Sequence, residues 1–230
     1  VLESSPEPTG SAARIGLALG SGGARGLAHL AVFELLDELG IRPHRISGSS
    51  IGALLGALYA AGLSGREIRD DLEGLTLSRD EPWYRTLMQG EWRALLGFID
   101  LSRQDGGVIE SEGLTRFFEE RTGAARFQDL RVPLQVIATD YMDRLPVVIG
   151  QGPLWPAIQA SIALPGLFTP TTLDGRILVD GGLTNPVPFD TLFADCDFII
   201  AVNVLGTRRP EDDASLMNPT YFENIFNTFQ

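Results

Sequence analysis

Histidine is scarce in this 230-residue chain: only His29 and His44 occur, and both precede every serine motif discussed below. A standard α/β-hydrolase triad takes its histidine late, after the acid, so that arrangement is excluded. His29 is expected to be a hydrogen-bonded packing residue and His44 a solvated one. Cysteine is scarcer still. Cys196 stands alone, which rules out an intramolecular disulfide, and beside Phe198, Ile199 and Ile200 it reads as a packed small residue and not a reactive thiol. No run approaches the ~20 apolar residues of a membrane span. Basic residues are also few, 18 against 30 acidic ones, for a formal charge of −12. That balance excludes a nucleic-acid partner, which needs clustered cations, and opposes electrostatic capture by anionic membranes.

What the chain does contain is an ordinary globular composition, 44% hydrophobic and 21% charged, of a length that suits one α/β domain. Residues 1–13 are polar, without a signal peptide, and are expected to form a flexible tail. A catalytic domain is expected over 14–206, and a loop with an amphipathic helix over 207–230. In that helix Tyr221, Phe222, Ile225, Phe226 and Phe229 recur at helical spacing. It stops at Gln230 without a cap, and the natural chain is expected to continue. The N-terminus also looks incomplete. The expected location is therefore the cytoplasm or a membrane periphery, with export left open.

Strand, glycine loop and helix succeed one another twice in the first 62 residues. Ile15 to Leu19 runs into Gly20-Ser-Gly-Gly-Ala-Arg-Gly26 and a helix from Ala24 to Leu39, ended by Gly40. Arg45-Ile-Ser runs into Gly48-Ser49-Ser50-Ile51-Gly52 and a small-residue helix from Ile51 to Ala61, ended by Gly62. This alternation predicts an α/β fold with a central, mostly parallel sheet flanked by helices. Ser64 and Glu67 have capping-box spacing, and Ser111 is expected to cap a helix through Arg121. Further strands are expected at Val132–Thr139, Val147–Ile149, Ile177–Val179 and Phe198–Val204, and a further helix at Trp155–Leu164.

Gly48-Ser49-Ser50-Ile51-Gly52 matches Gly-x-Ser-x-Gly, in which a sharp strand-to-helix turn projects a serine hydroxyl from the sheet edge. If Ser50 is a nucleophile, a carboxylate must replace the missing histidine as base. Asp180 ends the apolar run Ile177-Leu-Val and is followed by Gly181 and Gly182, where the backbone can pack closely. Asp140, after Ala138-Thr139, is its competitor. The N–H groups of Gly22, Gly23 and Ala24, at a helix N-terminus, could serve a developing oxyanion. Arg25 would brace that loop or add positive potential, and Gly26 closes it.

Gly22-Gly-Ala-Arg-Gly26, Gly48-Ser-Ser-Ile-Gly52 and Asp180-Gly-Gly182 occur in the order seen in patatin-like phospholipases. Ser161-Ile-Ala-Leu-Pro-Gly-Leu-Phe168 with Pro170, and Asn185-Pro186, extend the resemblance over about 14–206; Ser21 departs from it, standing where many members begin a run of three glycines. The resemblance implies a patatin-like three-layer architecture, a Ser50–Asp180 dyad, an acyl-enzyme, and an oxyanion hole in the glycine loop. It implies lipid ester substrates, with contact at a membrane surface, and no metal or organic cofactor. Head group, acyl position, chain length and oligomeric state stay open.

Trp83, Tyr84, Trp92 and Phe98, together with the C-terminal helix, are candidates for acyl-chain or membrane contact. Over 79–103, Arg79, Arg85, Arg93 and Arg103 balance Asp80, Glu81, Glu91 and Asp100, so apolar insertion there meets no net charge. Two alternatives remain. One is an NADP-type dinucleotide-binding protein using Gly20, Gly22 and Gly26. No acid lies between Glu38 and Glu67 to hold a ribose, although Arg42 or Arg45 could meet a 2′-phosphate. The other is a catalytically silent lipid-binding module.

Overall fold

The computed structural model describes residues 13–76, 112–166 and 168–205. Within them the short apolar runs become one seven-stranded sheet: β1 (Ile15–Leu19), β2 (Arg45–Ser49), β3 (Leu134–Asp140), β4 (Pro146–Ile149), β5 (Thr171–Leu173), β6 (Arg176–Asp180) and β7 (Phe198–Val202). The order is β5-β6-β3-β2-β1-β7, with β4 also paired to β3. Strands β7, β1, β2 and β3 run parallel, as the repeated strand–loop–helix pattern predicts. The β4, β5 and β6 pairings are antiparallel.

The helices are α1 (His29–Glu38), α2 (Ile51–Ala61), α3 (Gly65–Thr76), α4 (Glu112–Thr122) and α5 (Leu154–Ile162). Helix α2 is apolar all round and correspondingly buried from Gly52 to Ala60. It lies on the sheet face that presents Leu19, Ile46 and Leu134, and α5 continues the same layer over β3 and β6. Phe33 of α1 stacks on Tyr59 of α2 with ring centroids 4.4 Å apart. Fully burying each such side chain contributes about 1.5–3 kcal/mol. The opposite face presents Gly16 and Ser47 to residues 181–197, a segment of short 3-10 turns; Leu192 and Cys196 crowd Gly16, and Thr191 donates to the Ser47 hydroxyl.

Two expectations change. The helix expected from Ala24 opens as a 3-10 turn, Gly23–Ala28, and only then becomes α1. No side chain caps its first amides, and Gly26 is pressed against Ile51, where a Cβ would come within 2.3 Å of Cγ2. Strand β5 was not anticipated. Its three residues are too few for a periodicity, but Asp174 and Gly175, at φ 49° and 77°, form the tight turn that Asp-Gly favours between paired strands. The Ser64–Glu67 box forms with reciprocal bonds of 2.8 and 3.2 Å. Ser111, the aromatic stretch 81–100 and the C-terminal helix lie outside the described residues.

Candidate active site

Two motifs far apart in sequence converge through the pairing of β3. A strand has two edges, and β4 occupies one of them opposite Val136 to Thr139. Both β2 and β6 must therefore lie along the other edge. Strand β2 arrives from one end and stops with Ser49 opposite Ile137; β6 arrives from the other and stops with Asp180 opposite Ala138. The last residues of the two strands thus sit at adjacent register positions. Ser50, one residue beyond β2, is delivered beside Asp180.

The Ser50 hydroxyl donates to Asp180 Oδ2 at 2.5 Å, and the Gly182 N–H donates to Oδ1 at 2.7 Å. Asp180 is 2% exposed and Ser50 7%. Burial raises the Asp180 carboxyl to about 6, against the lowering effect of those two hydrogen bonds. Ser50 itself has φ 55° and ψ −125°, a conformation that a side chain disfavours. It is held from both sides. Its carbonyl accepts from Ala53 and Leu54 at the start of α2, and its N–H donates to the Ser161 hydroxyl at 2.9 Å. The flanking Gly48, next to last in β2, lies against the backbone of Gly52 and Ala53 in the first turn of α2. Gly52 admits the β1 backbone, since a Cβ there would lie 2.3 Å from the Leu19 carbonyl oxygen.

The glycine loop joins this centre from β1. Ser21 donates its N–H to the Pro186 carbonyl at 2.8 Å and touches Gly182, so the loop is tied to the segment that follows Asp180. Arg25 N–H turns back to the Gly22 carbonyl at 3.1 Å. Among the described residues, no protein acceptor takes the N–H of Gly22, Gly23, Ala24 or Ile51. Arg25 is exposed, and no carboxylate among the described residues pairs with it. His29 is fully buried, with Nε2 2.9 Å from the Gly20 carbonyl oxygen and its pKa lowered by desolvation. It supports the loop from below, in keeping with its expected packing role. His44 is exposed, and Cys196 lies against Gly16, its thiol pushed up by burial.

Asp140 is elsewhere employed. Its Oδ1 accepts from the N–H groups of Met142 and Asp143 at 2.9 and 3.0 Å, and its Oδ2 faces Arg176 at 3.7 Å. It closes the turn after β3 and makes no bond to Ser50. Two hydroxyl residues were not anticipated as part of the site. Thr139 donates to the Asp180 carbonyl at 2.8 Å, and Ser161 donates to the Ile137 carbonyl at 2.6 Å while accepting from Ser50. The available signal for Ser161 was a hydroxyl between Ala160 and Ile162 in a largely apolar helix, where burial demands partners. A groove of about 390 Å³ opens between β4 and the β5–β6 hairpin, lined by Val147, Ile149, Leu173, Leu178 and Arg176 and by none of the residues above that meet at Ser50. Among the described residues no cluster of His, Cys, Asp and Glu could hold a metal, and no helix is long and apolar enough to cross a membrane.

A family model described as patatin-like phospholipase matches residues 17–193. An uncharacterized NTE family protein of Mycobacterium tuberculosis (strain H37Rv) is 36% identical over 206 residues, covering 89% of this chain and 53% of the relative. Lysophospholipase NTE1 of Saccharomyces cerevisiae is 30% identical over 216 residues, covering 93% of this chain and 12% of its own length. The chain thus spans about half the length of the mycobacterial relative and a small part of the yeast one. Among solved structures, VipD from Legionella pneumophila aligns at TM-score 0.46 and 15% identity, covering 74% of this chain and 46% of its own.

Proposed function

Because the chain belongs to the patatin-like phospholipase family, we propose that it hydrolyses acyl esters of lipids, with Ser50 as nucleophile and Asp180 as base. The observation that carries this reading is the 2.5 Å bond from the Ser50 hydroxyl to a carboxylate sealed from water. Serine attacks the ester carbonyl as its proton passes to Asp180 Oδ2. The developing oxyanion accepts from the uncommitted amides of the loop, chiefly Gly23 and Ala24, aided by the positive potential of Arg25. Removing one such donor typically costs about 2.7–4 kcal/mol of transition-state stabilisation. Collapse of the tetrahedral adduct expels the alcohol, which takes the proton from Asp180. Water then attacks the acyl-Ser50 ester, giving its proton to the same aspartate; collapse of that adduct frees the carboxylic acid and expels the Ser50 oxygen, which takes the proton back from Asp180.

The elevated Asp180 carboxyl suits this double duty. It is a stronger base than an exposed aspartate, yet ionised at neutral pH. The substrates are lipid esters presented at a membrane surface, and no cofactor enters the cycle. Fluorophosphonate labelling tests the assignment. One covalent adduct is expected, on Ser50, absent in Ser50→Ala. Product analysis against a mixed lipid panel identifies the ester cleaved, with the same variant as control. If folded Ser50→Ala hydrolyses short nitrophenyl esters as fast as the unmodified protein, the reading fails.

A further inference from the structure

Ser161 lies in α5, is fully buried, and touches no space that a substrate could enter. Both of its hydrogen-bonding capacities are nevertheless spent at the junction that makes the site. The hydroxyl donates to the Ile137 carbonyl at 2.6 Å and accepts from the Ser50 N–H at 2.9 Å. The Ile137 oxygen marks the register position where β2 ends, and the backbone of Gly181 passes so close that a Cβ there would come within 2.0 Å of it. One hydroxyl therefore bridges the strand that pairs with both ends of the dyad and the main chain of the serine itself.

We infer that Ser161 is a positioning residue, whose hydroxyl clamps Ser50 in its high-energy backbone conformation and so aims the nucleophile at Asp180. The inference rests on Ser50 as nucleophile only for its effect on turnover; the conformational part stands without it. At φ 55° and ψ −125° the Ser50 backbone is the mirror image of an extended residue, comfortable for glycine and not for serine. An amide in that pose relaxes unless something holds it. Downstream, α2 holds the carbonyl through Ala53 and Leu54; upstream, among the described residues, Ser161 alone takes the N–H. The same bond withdraws the Ser50 amide from oxyanion binding, leaving that task to the loop. Without the Ser161 hydroxyl, two buried backbone groups lose their partner and the peptide before Ser50 is free to rotate.

The test compares Ser161→Ala with the unmodified enzyme on a soluble nitrophenyl ester, with active sites counted by complete fluorophosphonate labelling. Per labelled site, kcat is expected to fall about 100-fold, as for a nucleophile displaced by an ångström, with KM and the midpoint of the pH–rate profile unchanged. A kcat per site within threefold of the unmodified enzyme overturns the inference, and so does a fall shared equally by KM. Ser161→Cys places a larger atom that is a weaker donor and acceptor at the same position; its kcat is expected between the two, and equality with the unmodified enzyme is again contrary. The clamp is also read without activity, by urea unfolding of Ser161→Cys alone and in a Ser50→Gly background, where glycine accepts the conformation freely. The loss of unfolding midpoint is expected to be larger in the glycine background, where relief of backbone strain no longer offsets the lost bond. Equal losses in both backgrounds overturn the clamp, whereas turnover retained by Ser50→Ala defeats the assigned chemistry and leaves this cycle readable.

Discussion

Burial lifts the Asp180 carboxyl to about 6 from an ordinary 3.8, which sets opposite demands on activity and stability. As the proposed base Asp180 must be ionised, so turnover is expected to fall as pH drops through about 6, measured as the acidic limb of kcat/KM. For stability the sign is reversed. The folded state binds this proton more tightly than the unfolded one, so the favourable contribution is complete below about 3.8 and is lost as pH rises through about 6. The shift corresponds to about 3 kcal/mol at neutral pH. Asp180→Asn is therefore expected to abolish most turnover while raising Tm more at pH 8 than at pH 4. A Tm gain that ignores pH would contradict the buried-charge account. Asp140→Asn is the matched control. Its Asx-turn acceptor survives the change, so turnover is expected to stay as it was. If Asp140→Asn alone loses activity, the base has been misassigned.

At the level of elements, the site depends on strands and loops approaching closer than side chains allow. A Cβ on Gly181 would lie 2.0 Å from the Ile137 carbonyl oxygen, and one on Gly52 2.3 Å from that of Leu19. Both neighbours are backbone inside the sheet and cannot step aside. Gly181→Ala and Gly52→Ala are expected to lower unfolding free energy by about 1–3 kcal/mol or more, measured by urea titration, and to cost activity as the strand ends separate. Gly123→Ala is the contrast. Nothing lies within 4 Å of its Cβ position, and only its φ of 66° resists, so about 1 kcal/mol is expected with turnover retained. Comparable losses at all three positions would mean that backbone conformation, and not close approach, decides these sites.

For the whole molecule, the charge of −12 acts on any lipid surface it meets. Unlike charges within contact distance, a diffuse field of this kind is screened over a Debye length, about 10 Å at 0.1 M salt. Turnover on anionic vesicles is expected to rise with added salt relative to turnover on zwitterionic vesicles of the same acyl composition. A salt response identical on both would remove long-range repulsion from the account.

Local chemistry determined much of this protein. Apolar runs ending in glycine loops marked β1, β2 and the helices after them, and the scarcity of histidine directed attention to a carboxylate. Gly-x-Ser-x-Gly and Asp-Gly-Gly marked the two residues that meet, because each motif demands a turn that few residue types permit. What the chain could not reveal on its own was the choice between Asp180 and Asp140, since both follow short apolar strands. The tertiary structure brings Asp180 and not Asp140 beside Ser50, by placing β2 and β6 end to end along one edge of β3 and aiming the Asp140 carboxylate at the turn that follows. Ser161 was hidden for the same reason. A hydroxyl in an apolar helix has a partner by necessity, but pairing over 111 residues is a property of the packed fold and leaves no local pattern.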